Sequence, residues 1–290
     1  MSRIVGVHGI AQQYRGGPER SAQWLLDVRG GLEAAGFRSV ADGLTASDLR
    51  VAFYGDLFRP EGTMSRDAPP YMISDLDSEE LELLAIFYDE ALVQEPGLKP
   101  PPGAMAGERP PSQVMLDVLL RSRTFSGIAQ HLLIGDLKQV TEYLEDDALR
   151  QEVLSRLERE MTDEVQVVIG HSLGSVVAYE FCCQPTAPRT KLLITLGSPL
   201  GIPRLIFDRL RPTPNAGTGV WPQTVQSWVN VADRKDVVAL RKKLAPNFGP
   251  GPGGVRIADR RVRNGDSPHE ASRYLNSSQT GEALGAVLSS

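Results

Sequence analysis

Short runs dominated by apolar residues recur along this chain, and between them the apolar positions spread to spacings of three and four. The runs fall at 3–7, 49–54, 165–169, 191–196 and 225–231, with a last one near 255–258. Short, predominantly apolar runs, in which few positions are polar, are expected of strands covered on both faces. The intervening segments read as helices. That at 19–35 carries Trp24, Leu25, Val28 and Leu32 on one stripe, and further helices are predicted at 112–123, at 137–160, after Leu173 and near the C-terminus. Strands alternating with helices predict an α/β protein with a doubly wound, mostly parallel sheet. One domain over 1–290 is expected, without internal repeats.

The alternation is interrupted once, at 55–111. This stretch is rich in Pro and Gly at both ends and holds one strong helix, Ser78–Gln94, with Ser78 reading as its N-cap and Glu79 and Glu80 in its first turn. Apolar residues run almost all the way round that helix, which does not suit a helix lying in water. Pro96, Pro100, Pro101 and Pro102 read as a stiff connector behind it. The segment is therefore expected to be a helical cap over a binding cavity, with Leu84, Phe87 and Tyr88 as substrate contacts.

Composition narrows the function classes. At 290 residues, with 41% hydrophobic and 23% charged positions, the chain can bury one large core. A net charge of −5 argues against a general nucleic-acid binder, which needs clustered basic residues. Only six of the 31 basic residues are Lys; with the abundance of Ala, Gly and Pro, this fits a GC-rich bacterial genome. The first residues lack the apolar core of a secretory signal, and no run is long enough to span a membrane, so a cytoplasmic protein is expected. Cys182 and Cys183 are adjacent on a predicted helix and read as reduced packing thiols.

The chemistry is concentrated where the apolar run 165–169 meets Gly170-His171-Ser172-Leu173-Gly174. Strand, tight turn and helix follow one another there, the setting in which G-x-S-x-G exposes a serine nucleophile. A serine hydroxyl needs a base, and the base an orienting carboxylate. Four histidines are present. His171 flanks the serine, His8 belongs to the first loop, and His131 sits in a predicted helix. His269, in the loop after the last strand, is the expected base. The acid should follow the strand at 225–231, where Asp236 is preferred to Asp233, with Asp259 and Asp266 as further options. The oxyanion would be met by the backbone N–H of Leu173 and, from the His8-Gly9-Ile10 loop, that of Ile10.

These parts resemble the α/β-hydrolase superfamily, and in particular its lipase and esterase members. The motifs carrying the likeness are Val-His-Gly-Ile at 7–10, Gly-His-Ser-Leu-Gly at 170–174, Leu-Gly-Ser-Pro at 196–199, Asp-Val-Val at 236–238 and His269. The resemblance covers nearly the whole chain apart from the cap at 55–111. It implies the α/β-hydrolase fold and a serine hydrolase that cleaves a small-molecule carboxylic ester through an acyl-enzyme, with no metal or organic cofactor. Amidase, thioesterase and acyltransferase chemistry use the same parts, and a non-catalytic ligand-binding protein could share the fold.

Overall fold

The apolar runs become six strands because each is covered twice. The computed structural model describes residues 2–13, 15–59, 71–99, 109–126 and 129–289. Its strands are β1 (Ile4–Val7), β2 (Leu49–Ala52), β3 (Val167–His171), β4 (Thr190–Leu196), β5 (Val225–Asp233) and β6 (Ala258–Val262). All neighbours pair parallel, in the order β2-β1-β3-β4-β5-β6.

Alternate strand residues feed two separate cores. Ile4, Val167, Ile169 and Ile194 join one cluster with Trp24, Val28 and Leu32 of helix α1 (Gly17–Ala34) and with the C-terminal helices α8 (Ala271–Leu275) and α9 (Ser278–Leu288). Val5, Val7, Val168 and Leu193 face the other way. They join a larger cluster with helices α3 (Ser78–Gln94), α4 (Ser112–Leu120), α5 (Gln130–Glu145), α6 (Asp147–Glu158) and α7 (Leu173–Cys182). A short helix α2 (Arg38–Gly43) completes the set. This is an α/β fold with a six-stranded parallel sheet between two helical layers.

The strand order has one reversal. From β1 the chain moves outward to β2, and from β3 it moves outward the opposite way, although β1 and β3 are neighbours with Val7 opposite Gly170. At such a switch point the loops leaving two adjacent strands diverge and open a crevice at their carboxyl ends. The loop at 8–13 and the turn at Ser172 border it.

Helix α3 of the insertion is pinned at both ends. Asp77, not Ser78, caps α3: its carboxylate accepts the N–H groups of Glu79 and Glu80 at 2.9 Å each, while Glu80 accepts that of Asp77 at 2.9 Å. Glu80 also takes Lys138 Nζ at 3.0 Å and the Thr141 hydroxyl at 3.1 Å, tying the start of α3 to α5. Near the other end of α3, Glu90 receives Lys242 Nζ at 3.1 Å. Leu83, Leu84, Phe87, Tyr88 and Ala91 are all buried, which accounts for apolar residues on so many sides of α3.

Three further details differ from the sequence reading. The helix expected at 137–160 is two helices, because Asp146 leaves the helical path and caps α6 through Ala148 N–H at 2.8 Å and Leu149 N–H at 3.0 Å. The last strand lies at Ala258–Val262 rather than 255–258, and the short C-terminal helix is the pair α8 and α9. Of the proline connector, Pro100, Pro101 and Pro102 lie outside the described residues. Among the described residues no helix is long and apolar enough to cross a membrane, and both cysteines are free thiols.

Candidate active site

Ser172 occupies the turn between β3 and α7 with φ 53° and ψ −130°. That conformation is costly for any residue with a Cβ, on the order of 1–3 kcal/mol, and persists only where the surroundings enforce it. Close packing enforces it here. A Cβ on Gly174 would lie 2.2 Å from the Val7 carbonyl oxygen, and one on Gly170 would lie 2.5 Å from the Gly174 carbonyl oxygen. Only glycine lets β1, β3 and α7 meet this closely. The turn is also held by hydrogen bonds: the Ser172 N–H donates to the Leu196 carbonyl at 3.0 Å, and the Ser175 hydroxyl lies 2.6 Å from both the Ser172 carbonyl and the Ser198 hydroxyl.

A chain of hydrogen bonds leads away from the serine. Ser172 Oγ lies 3.0 Å from His269 Nε2, and His269 Nδ1 lies 2.8 Å from Asp236 Oδ2. Ser172, His269 and Asp236 come from the ends of β3, β6 and β5, so the sheet brings together three residues spread over almost a hundred positions. Asp236 is fully buried and fully engaged. Its Oδ2 also accepts the Tyr274 hydroxyl at 2.7 Å, and its Oδ1 accepts the N–H groups of Val238 at 3.0 Å and Ala239 at 3.3 Å. Burial alone would raise the Asp236 pKa, but the His269 imidazole, Tyr274 and Lys242 outweigh it and hold the carboxyl below its usual range.

Asp233 is placed for other work. Its carboxylate accepts the N–H groups of Lys235, at 2.7 Å, and of Asn264, which fixes the turn leaving β5. Asp259 accepts the N–H groups of Leu244 and Ala245, and Asp266 is exposed. Tyr274 bridges the two aspartates of the turn, accepting the Asp233 N–H at 2.9 Å while donating to Asp236.

The other histidines near the site are buried and neutral. Burial pushes His171 down to about 3; its ring centroid lies 4.9 Å from that of His269, the two planes tilted by 38°, and its Nε2 lies 2.8 Å from the His269 carbonyl. His8 is pushed down to about 4, again by burial. Its Nε2 accepts the Tyr54 N–H at 3.2 Å, so the ring proton is on Nδ1 and donates to the Gly9 carbonyl at 2.6 Å.

Ser172 and His269 open onto a cavity of about 590 Å³. Ile10 and Leu173 line it. Leu173 begins α7, so its N–H has no acceptor within the helix, and the Ile10 N–H donates to no hydrogen bond among the described residues. Two free donors and the positive end of a helix thus flank the serine. Of the three residues expected from the insertion, Phe87 lines the cavity, whereas Leu84 and Tyr88 are buried in the core beside it.

Sequence reasoning missed Tyr274, Lys242 and Asp136. Lys242 donates to the Asp236 carbonyl oxygen as well as to Glu90, joining the acid's loop to α3. None of the three stands in a motif. Among the described residues no cluster of His, Cys, Asp or Glu is placed to hold a metal ion. Compared with known proteins, the chain matches no family model, no curated protein and no solved structure.

Proposed function

We propose that this protein is a serine hydrolase of the α/β-hydrolase type that cleaves a small-molecule carboxylic ester through an acyl-enzyme. The observation that carries the reading is the continuous relay Ser172–His269–Asp236, with bonds of 3.0 and 2.8 Å, at the edge of a cavity. Ser172 Oγ attacks the ester carbonyl as His269 Nε2 takes its proton. Asp236 holds the proton of His269 on Nδ1, leaving Nε2 free to act as the base, and steadies the imidazolium that forms. The N–H groups of Leu173 and Ile10 receive the oxyanion. Collapse expels the alcohol, which takes the proton from His269, and water activated by the same imidazole then releases the acid.

The predominantly apolar walls of the cavity, including Phe87, Phe125, Leu137 and Ile206, favour an acyl chain over a polar substrate. The relay also argues against a mere ligand-binding protein, because a binder has no need of an oriented base on its serine.

The test is reaction with a fluorophosphonate, followed by hydrolysis of p-nitrophenyl esters of increasing acyl length. Stoichiometric labelling at Ser172 is expected. Ser172→Ala should abolish labelling and lower kcat by about five to six orders of magnitude. Substantial turnover by the folded Ser172→Ala protein would remove Ser172 from the mechanism, and an unlabelled wild type would leave a binding protein.

A further inference from the structure

Three acidic side chains line the cavity, Asp27, Asp136 and Glu270, and of these only Asp136 is buried. Asp136 lies on α5, 7% exposed, and lines the same cavity as Ser172. On the same face of the helix its neighbours are Leu133, Leu137 and Val140, and the wall continues in Phe87 and Phe125. No hydrogen bond or ion pair engages the Asp136 carboxyl among the described residues. Burial is the single influence on its titration and pushes it up to about 8. A buried carboxyl without a partner lowers stability, and such groups in native proteins call for an explanation.

Other buried acids of this molecule are satisfied. Glu180, on α7, takes the Tyr143 hydroxyl at 2.8 Å, Arg150 Nε at 2.8 Å and the Arg211 N–H at 3.0 Å. Glu80 and Asp236 are likewise filled. Asp136 differs in that it faces the cavity.

We propose that Asp136 determines specificity by hydrogen-bonding a hydroxyl group carried on the acyl chain of the substrate, an inference that rests on the hydrolase reading of Ser172. The chemistry of the wall selects a hydroxyl. An ammonium would bring three N–H donors to one carboxyl, and the Leu, Val and Phe side chains around Asp136 offer no second acceptor. A hydroxyl needs one acceptor for its proton and can itself accept from a protonated carboxyl, so both partners are satisfied. A plain alkyl chain would leave Asp136 buried and unpaired, a penalty of the kind that lets a polar pocket reject the analogue lacking its partner.

The experiment compares ethyl octanoate with a positional series of ethyl hydroxyoctanoates and with an amino analogue, with the released acids quantified by chromatography. For wild type, kcat/KM at one or more hydroxyl positions should exceed that of ethyl octanoate by about tenfold or more. Asp136→Leu should lose that advantage and improve on ethyl octanoate, and Asp136→Asn, whose amide can still pair with a hydroxyl, should keep part of it. Preference for the plain ester throughout, preference for the amino ester, or an unchanged profile in folded Asp136→Leu would overturn the assignment. Should the wild type cleave none of the esters, the hydrolase reading falls by itself. Thermal shifts with octanamide and the hydroxyoctanamides then decide: greater stabilisation by a hydroxylated amide that Asp136→Leu abolishes upholds the inference, and equal shifts overturn it.

Discussion

Two aspartates of nearly equal burial, Asp136 lining the cavity and Asp236 behind His269, behave in opposite ways. Asp236, at the carboxyl end of β5, has both oxygens occupied by four donors and is held below the usual carboxylate range. Asp136, in the helical layer added between β2 and β3, has no donor among the described residues and is pushed up to about 8. Depth decides little here; the supply of donors decides the sign. The sheet edge supplies two backbone N–H groups and two side chains from fixed elements, whereas the face of a helix has already spent its backbone donors within the helix. The region inherited from the sheet is thus electrostatically complete, and the helical region leaves a polar group for something else to complete.

The largest effect expected from breaking this contrast falls on the complete side. Asp236→Asn should lower kcat by about 10⁴, because the amide stabilises the wrong tautomer of His269. Asp233→Asn should act mainly on stability. Ester hydrolysis by both purified variants checks this, and the reverse ranking would transfer the acid's role to Asp233. Tyr274→Phe removes one of the four donors and leaves the imidazole in place, so a loss of about tenfold in kcat is expected. A loss as large as that of Asp236→Asn would make the tyrosine as essential as the acid.

The two carboxyls should also pull stability in opposite directions with pH. Asp236 binds its proton less tightly folded than unfolded, so its contribution is present above about pH 4 and is lost as the pH falls further. Asp136 binds its proton more tightly folded, so stability drains away as the pH rises from about 4 to about 8. Asp136→Leu should therefore gain more over wild type at pH 8.5 than at pH 5, as read from urea midpoints. An equal gain at both values would uncouple Asp136 from the proton.

The smallest effect concerns the helical wall alone. Phe87 packs against Phe125 with ring centroids 5.9 Å apart and lines the cavity. Phe87→Ala should raise KM for long acyl esters several-fold while sparing acetate, since about 0.8 kcal/mol is lost for each CH₂ left unburied. An unchanged chain-length profile in the folded variant would make Phe87 padding.

The parallel strands were legible because burial on both faces writes itself as short, mainly apolar runs, and β6 was misplaced for the same reason. Its Arg260 and Arg261 sit on an edge strand that is only partly covered, so no apolar run marks it. The break at Asp146 was hidden by helical periodicity continuing on both sides of it. Ser172 could be read from local crowding, since the glycines that permit the turn are its sequence neighbours. Asp236 and Asp233 could only be ranked, because they lie three residues apart at the end of β5 and the turn that separates their roles depends on Asn264 and Tyr274, some thirty to forty positions away. Asp136 was invisible as a cavity residue. Nothing in a helix sequence says which of its faces meets a void.

The pairing of β1 with β3, Val7 opposite Gly170, has a consequence for how this molecule could be altered. The loop at 8–13 and the turn at Ser172 are joined side by side through the sheet, while the chain between them makes one long excursion through β2 and helices α1 to α6. The excursion contributes Phe87, Phe125 and Asp136 but none of the reacting groups. Substitutions on the cavity face of these helices would therefore change which side chains line the cavity while leaving the two strand ends in register, whereas exchanging whole helices would also remove the Glu90–Lys242 tie to the loop of Asp236 and much of the larger core.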